Sequence, residues 1–238
     1  MTTVTPEFHS RTAASAREGL QATLDNWLAR RDPPPRVLDA GCGHQMYLHI
    51  TDTARVVGID IDATQLGGNA TIDEKILGDV QTYPLPPSSF DLVICYEVME
   101  HLKTPELALE NLTRAGAPGS MLILGGPNLL SLKGLATRFT PYWVHRLYYW
   151  IGGSGLKPFR TYMRLVTTPG KLAAWAHGRG LTIEYAAVFE SPLQEHARRR
   201  IHLTQRRWDA LQAVVCAATR GRIDLAATDF MLVLRKPV

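Results

Sequence analysis

Cysteine is scarce in this sequence, with three in 238 residues, at positions 42, 95 and 216. An odd, widely spaced set fits neither a disulfide framework nor a cysteine-built zinc site, so a reducing cytoplasm is the expected setting. Long apolar runs are lacking as well. The longest strongly apolar stretch, Met121 to Leu124, falls far short of the roughly 18 residues that a bilayer-crossing helix requires, and no membrane span is expected. The first residues, Met-Thr-Thr-Val-Thr-Pro-Glu-Phe-His, have neither the basic front nor the apolar middle of a secretory leader. No strong charge bias exists: 26 basic against 22 acidic residues leave +4, which permits an anionic ligand without calling for nucleic acid. Repeats, low-complexity tracts and domain-separating linkers are missing. What is present is an ordinary globular composition, 45% hydrophobic and 20% charged, which excludes disorder for most of the chain and supports one full core.

Along the chain, Leu20, Leu24, Trp27 and Leu28 recur at helical spacing over residues 10–31, and the prolines at 33–35 stop that leading helix. Short apolar runs follow at 36–40, 56–60, 75–78, 90–96 and 121–125, separated by polar helix-like stretches. One helical stretch is expected from Glu97 to Arg114. Apolar runs of strand length alternating with helices predict a mostly parallel sheet covered on both faces. Thr168 and Pro169 offer an N-cap and a first-turn proline for a helix through His177. A sixth strand is expected at 181–189, one long helix at 193–220 and a seventh strand at 230–234. The fold class is therefore α/β: a doubly wound, Rossmann-like, seven-stranded sheet with an antiparallel last strand. It is read as a single domain, with a leading helix at 1–35, a ligand-binding half at 36–126, an aromatic lid at 127–167, and closing helices and a strand pair at 168–238.

Gly41 and Gly43 end the first strand in a tight turn, where glycine lets backbone come close to a ligand. Asp60 lies 21 residues beyond Asp39, near the spacing expected of a ribose-binding carboxylate. A dinucleotide site needs a third glycine where Met46 stands, which argues against NAD. The stretch does resemble the class I S-adenosylmethionine-dependent methyltransferase family, through Val37-Leu-Asp-Ala-Gly-Cys-Gly43, Val57-Gly-Ile-Asp60, Gly78-Asp-Val80 and Phe90-Asp-Leu-Val-Ile-Cys95. That resemblance runs from about Arg36 to Asn128 and, more loosely, through the last strand pair. It implies S-adenosylmethionine as cofactor, with Asp39, Gly41 and Gly43 at its methionine end, Asp60 on the ribose and Asp79 on the adenine amino group. Ile61, Val80 and Tyr96 complete the implied cofactor set. Gln45 replaces a glycine common in the family, and the helix after Gly43 looks short. A basic residue of the leading helix, Arg11 or Arg17, is therefore a candidate for the methionine carboxylate.

After the fourth strand comes Glu97-Val-Met-Glu-His101. If a helix begins at Glu97, then Glu97, Glu100 and His101 share one face. Two convergent carboxylates imply a proton or a cation between them, and oxygen ligands favour Mg²⁺ or Mn²⁺. Glu-x-x-Glu-His resembles the metal-binding segment of small-RNA 2′-O-methyltransferases and of some quinone-biosynthesis O-methyltransferases. By that resemblance a later histidine, His145, completes the metal set of Glu97, Glu100, His101 and His145, and His101 and His145 are the candidate catalytic groups. The metal-free alternative gives His101 only a pocket-shaping role.

The lid carries Phe139, Tyr142, Trp143, Tyr148, Tyr149, Trp150, Phe159 and Tyr162, with a glycine-rich hinge at 152–155. Aromatic faces suit planar rings or sugars. The expected activity is thus O-methylation of a small-molecule hydroxyl, a sugar or glycoside ahead of a phenol or quinol. The rivals are N- or C-methylation and a non-catalytic cofactor-binding protein. Arg198 to Arg200 and Arg206-Arg207 read as a solvated helix face, with an anionic acceptor or a partner subunit (a homodimer) as the other options. No alternating basic and aromatic platform for single-stranded RNA is seen in that segment.

Overall fold

The computed structural model describes residues 9–46, 48–51, 53–141, 143, 159–200, 202–221 and 223–238. Its strands are β1 His9–Arg11, β2 Arg36–Ala40, β3 Arg55–Asp60, β4 Glu74–Leu77, β5 Phe90–Tyr96, β6 Gly116–Pro127, β7 Thr182–Phe189 and β8 Asp229–Arg235. They form one sheet in the order β1-β7-β8-β6-β5-β2-β3-β4. The seven expected strands are all present, and β8 runs antiparallel to both β6 and β7. An eighth strand, β1, pairs parallel with β7.

Side-chain alternation explains why the central strands read as unbroken apolar runs. On β2, Leu38 and Ala40 enter one core while Val37 enters the other; on β5, Val93 and Cys95 face one way, Leu92 and Ile94 the other. The first core is closed by Leu109 and Leu112 of α3 (Pro105–Ala115) and by Leu172 and Ala176 of α5 (Pro169–Gly178). The second lies under Ala16, Leu20, Leu24 and Trp27 of α1 (Ala13–Leu28). Helix α1 starts where the Thr12 hydroxyl accepts the Ser15 N–H at 3.2 Å, and it is shorter at both ends than 10–31. Beyond it Arg31 lies over the Trp27 ring and pairs with Asp91 at 2.6 Å. The short α2 (Ala63–Gly68) follows β3.

Several expectations on helices need correction. Between Gly43 and β3 there is no helix among the described residues. The stretch from Glu97 to Arg114 is a single 3₁₀ turn, Met99–His101, followed by a break and then α3. The break falls before Pro105, because the residue preceding a proline is pushed out of the helical region. Thr168 does precede a helix that starts at Pro169, yet its hydroxyl donates to the Leu165 carbonyl at 2.8 Å instead of capping. Residues 193–220 are two helices, α6 (Pro192–Arg200) and α7 (Gln205–Thr219), parted where His202 takes a φ of 56°. Arg198 is not on a solvated face. It is buried and forked on Glu190, with Nε 2.8 Å from Oε1 and Nη2 3.0 Å from Oε2.

Of the lid, α4 (Leu132–Phe139) and the returning segment from Phe159 are described. Tyr142, His145, Tyr148, Tyr149, Trp150 and the glycines at 152–155 lie outside the described residues.

Candidate active site

The carboxyl ends of β2, β3 and β5 bring the glycine turn and its carboxylates together. Gly41 and Gly43 both have left-handed backbones, φ 73° and 51°. The Gly41 N–H donates to the Ile59 carbonyl at 2.7 Å, and the Gly43 N–H to Asp60 Oδ2 at 2.8 Å. The Asp62 N–H takes the other oxygen, Oδ1, at 2.8 Å. Both Asp60 oxygens are thus oriented by backbone, and each keeps lone pairs for a ligand diol. The space beside Gly41 is not a ligand's: the side chain of Val98 fills it, so a Cβ there would strike Val98 Cγ2. A Gly41→Ala protein is expected to unfold at lower denaturant, by about 2–4 kcal/mol, from that collision and the left-handed backbone. Adding Val98→Ala removes only the collision, so chemical denaturation of the double variant should recover part of the loss.

Asp79 and its loop follow β4. Asp79 Oδ1 accepts the Gln81 N–H at 2.9 Å, and Gln81 Oε1 in turn accepts the Thr104 N–H at 2.9 Å. Val80 is buried in the core, so its side chain does not face a ligand; its carbonyl accepts from Asn111 Nδ2 at 2.9 Å. Ile61, just past Asp60, is 67% exposed and offers an apolar face beside the turn. Tyr96 ends β5, its ring filling the space a side chain on Gly125 would take.

The Glu-x-x-Glu-His segment is not arranged as the helix model requires. Glu97 has a φ of 58° and donates its N–H to the Gly125 carbonyl at 3.0 Å, so it turns the chain instead of starting a helix. Glu100 is buried, with Oε2 lying 3.2 Å from where a Gly126 Cβ would be. Its carbonyl accepts from the Tyr162 and Met163 N–H groups at 2.7 and 3.2 Å. His101 points its Nδ1 at the Arg160 carbonyl, 3.2 Å away, and stands 5.8 Å from the Phe159 ring. Among the described residues no three His, Cys, Asp or Glu side chains are placed to hold a metal. The donor set expected for Mg²⁺ or Mn²⁺ is therefore not assembled by Glu97, Glu100 and His101, because the left-handed residue breaks the shared face.

Electrostatically this edge is acidic. Burial, and then the Asp60 charge, raise the Asp39 carboxyl from 3.8 to about 7. Burial and then Glu97 push the Tyr96 phenol upward, while the charge of Arg17 on α1 pulls it down. Burial lowers the His101 pKa below 6.5, outweighing the Arg160 hydrogen bond and Glu97. The folded protein holds the Asp39 proton more tightly than the unfolded chain does between pH 3.8 and about 7. Its stabilising contribution is full below that window and gone above it, on the order of 4 kcal/mol in all. Asp39→Asn should therefore flatten the fall in melting temperature between acid and neutral pH, measured without ligand.

Three supports went unread in the sequence. Asn69, fully buried, donates Nδ2 to the Cys42 carbonyl at 3.0 Å and so fixes the glycine turn. Asn111 bridges Val80 and Tyr83. Arg138, at the end of α4, donates Nη1 to the Tyr162 and Met163 carbonyls, both at 2.9 Å, pinning the lid's return against Glu100. Only Asn69 carries a signal, as an amide in an otherwise small-residue turn.

Residues 38–124 match the family model described as a methyltransferase domain. The chain is 26% identical over 184 residues to the ubiquinone biosynthesis O-methyltransferase of Pseudomonas aeruginosa, covering 72% of this chain and 76% of that protein. It is 33% identical over 132 residues to an uncharacterized 37.1 kDa protein in transposon TN4556 of Streptomyces fradiae, covering 51% of this chain and only 38% of that relative's length. Among solved structures, a SAM dependent methyltransferase from Archaeoglobus fulgidus shares the fold, with a TM-score of 0.50 and 19% identity over 92% of this chain and 94% of that one.

Proposed function

We propose that the chain is a class I S-adenosylmethionine-dependent methyltransferase, a reading supported by the methyltransferase-domain match over residues 38–124 and by the Pseudomonas relative, and that it moves a methyl group to the hydroxyl of a small aromatic acceptor. When bound, adenosylmethionine would supply a sulfonium methyl carbon open to in-line attack by an oxygen nucleophile, with the neutral thioether as the leaving group. The residues fit that cofactor. Asp60 is pre-oriented for a vicinal diol, Asp79 and Ile61 flank it, and the carboxylates of this edge suit a cation. Asp39, Gly41 and Gly43 lie at the methionine end in this reading, with Tyr96 beside the transferred group. Arg17, which acts on Tyr96 from α1, is the candidate for the cofactor's carboxylate.

One observation carries the acceptor chemistry: a half-buried imidazole whose Nδ1 is held by a backbone carbonyl. A carbonyl only accepts, so Nδ1 of His101 carries the proton toward Arg160, and the lone pair sits on Nε2, 3.7 Å from Glu100 Oε1. Because its pKa lies below 6.5, His101 is neutral at pH 7 and able to take the proton of an acceptor hydroxyl. A phenol, with a pKa of about 10, is within reach of such a base without metal assistance. The exposed Phe159 ring beside His101 suits a planar acceptor. The name of the Pseudomonas relative points the same way, so an aromatic hydroxyl is preferred to a sugar.

Incubation with methyl-labelled adenosylmethionine and matched sets of phenols, quinols and sugars tests this. Label is expected in the aromatic set. Label confined to sugars would overturn the acceptor, and label in neither set would overturn the transfer.

A further inference from the structure

Between Glu110 and Glu184 the chain contains no acidic residue, while residues 111–183 carry nine Lys and Arg and nine Phe, Tyr and Trp. The whole chain is only +4, so the rest of the molecule is net acidic. The fold gathers part of this stretch beside the candidate site. Arg138 binds the carbonyls of Tyr162 and Met163, Arg160 stands over the Tyr162 ring at 5.4 Å, and Arg164 donates Nε to the Lys103 carbonyl at 3.0 Å. Lys103, Arg138, Arg160 and Arg164 are all exposed, and no carboxylate among the described residues pairs with them. Set among them are large apolar side chains turned to solvent: Phe139 is 76% exposed, Leu165 62% and Phe159 43%.

We propose that this face docks on an anionic lipid surface, which orients the candidate site toward an acceptor held at the membrane interface; the second clause rests on the aromatic-hydroxyl reading above. Apolar side chains of this size gain little by facing water but insert readily at the headgroup boundary, and neighbouring guanidinium groups pair with lipid phosphates. The mixture of aliphatic and aromatic residues favours lipid over RNA. Leu165 offers no ring for a base to stack on, whereas single-strand platforms are built from aromatic faces. Among the described residues no helix is long and apolar enough to cross a bilayer, so the contact is a surface one.

Flotation of the full chain with vesicles of mixed phosphatidylglycerol and phosphatidylcholine tests the proposal, against phosphatidylcholine alone and against single-stranded RNA by fluorescence anisotropy. Binding to the anionic vesicles is expected, weakened at least about tenfold by a Lys103→Glu/Arg164→Glu pair and again by Phe139→Ser/Leu165→Ser. Raising the salt to about 0.5 M should weaken the unmodified protein to a similar degree, a measurement that needs no variant. No vesicle binding, binding indifferent to both variants and to salt, or RNA binding in place of vesicle binding would each overturn it. Calorimetric titration of every variant with adenosylmethionine reports retained folding. If the unmodified protein fails that titration but floats with vesicles, the methyltransferase reading falls and the lipid contact stands.

Discussion

Asp60→Ala is expected to weaken adenosylmethionine binding by roughly 10²–10⁴-fold, since two hydrogen bonds to a charged acceptor are lost at about 1.5–3 kcal/mol each. The carboxylate also holds the Gly43 and Asp62 N–H groups, at 2.8 Å each, so its removal loosens the turn as well as the ribose contact. Asp60→Asn keeps one carbonyl acceptor and most of the shape, and it should fall between the two. Isothermal titration with adenosylmethionine and with its demethylated product measures all three proteins. Equal affinities would mean that the diol is held elsewhere.

His101→Gln should lower kcat by about 10²–10⁴-fold while leaving cofactor affinity nearly unchanged, because a glutamine amide can still donate toward the Arg160 carbonyl but cannot accept a proton. The pH profile distinguishes a base from a structural residue. With the folded pKa below 6.5, the unmodified enzyme should hold its rate on acidification to that point and lose it only below, as the imidazole becomes charged. That acid limb should vanish in the variant. A variant of full activity, or one with an unmoved limb, would leave the proton to another group.

How much of this was legible follows from the physics of each element. β2 and β5 fall at the positions their apolar runs indicate, 36–40 and 90–96, because a strand buried on both faces reads as a near-continuous apolar run. The turn glycines and Asp60 were readable for a similar reason: the required backbone and charge restrict the choice of residue. β1 was not, since His-Ser-Arg has no apolar signal and joins β7 through its backbone. The Glu97 turn was hidden by good helix-forming neighbours; only tertiary packing, through the Gly125 carbonyl, forces that residue left-handed. Arg198 looked like one of a solvated arginine run, and its partner Glu190 stands eight residues away on the end of another element. The helix that was to align Glu97, Glu100 and His101 is replaced by the left-handed turn at Glu97, and His145 lies outside the described residues.

The position of β8 has a consequence for how the molecule comes into being. This strand, the final one in sequence, lies between β6 and β7 and hydrogen-bonds to both. A ribosome must therefore deliver residues up to about 235 before β7, with β1 beside it, can join the other half. Until then two open flanks await a partner, each able to capture a strand from a neighbouring nascent chain. Premature termination before 229 should accordingly yield insoluble product, not a smaller folded fragment.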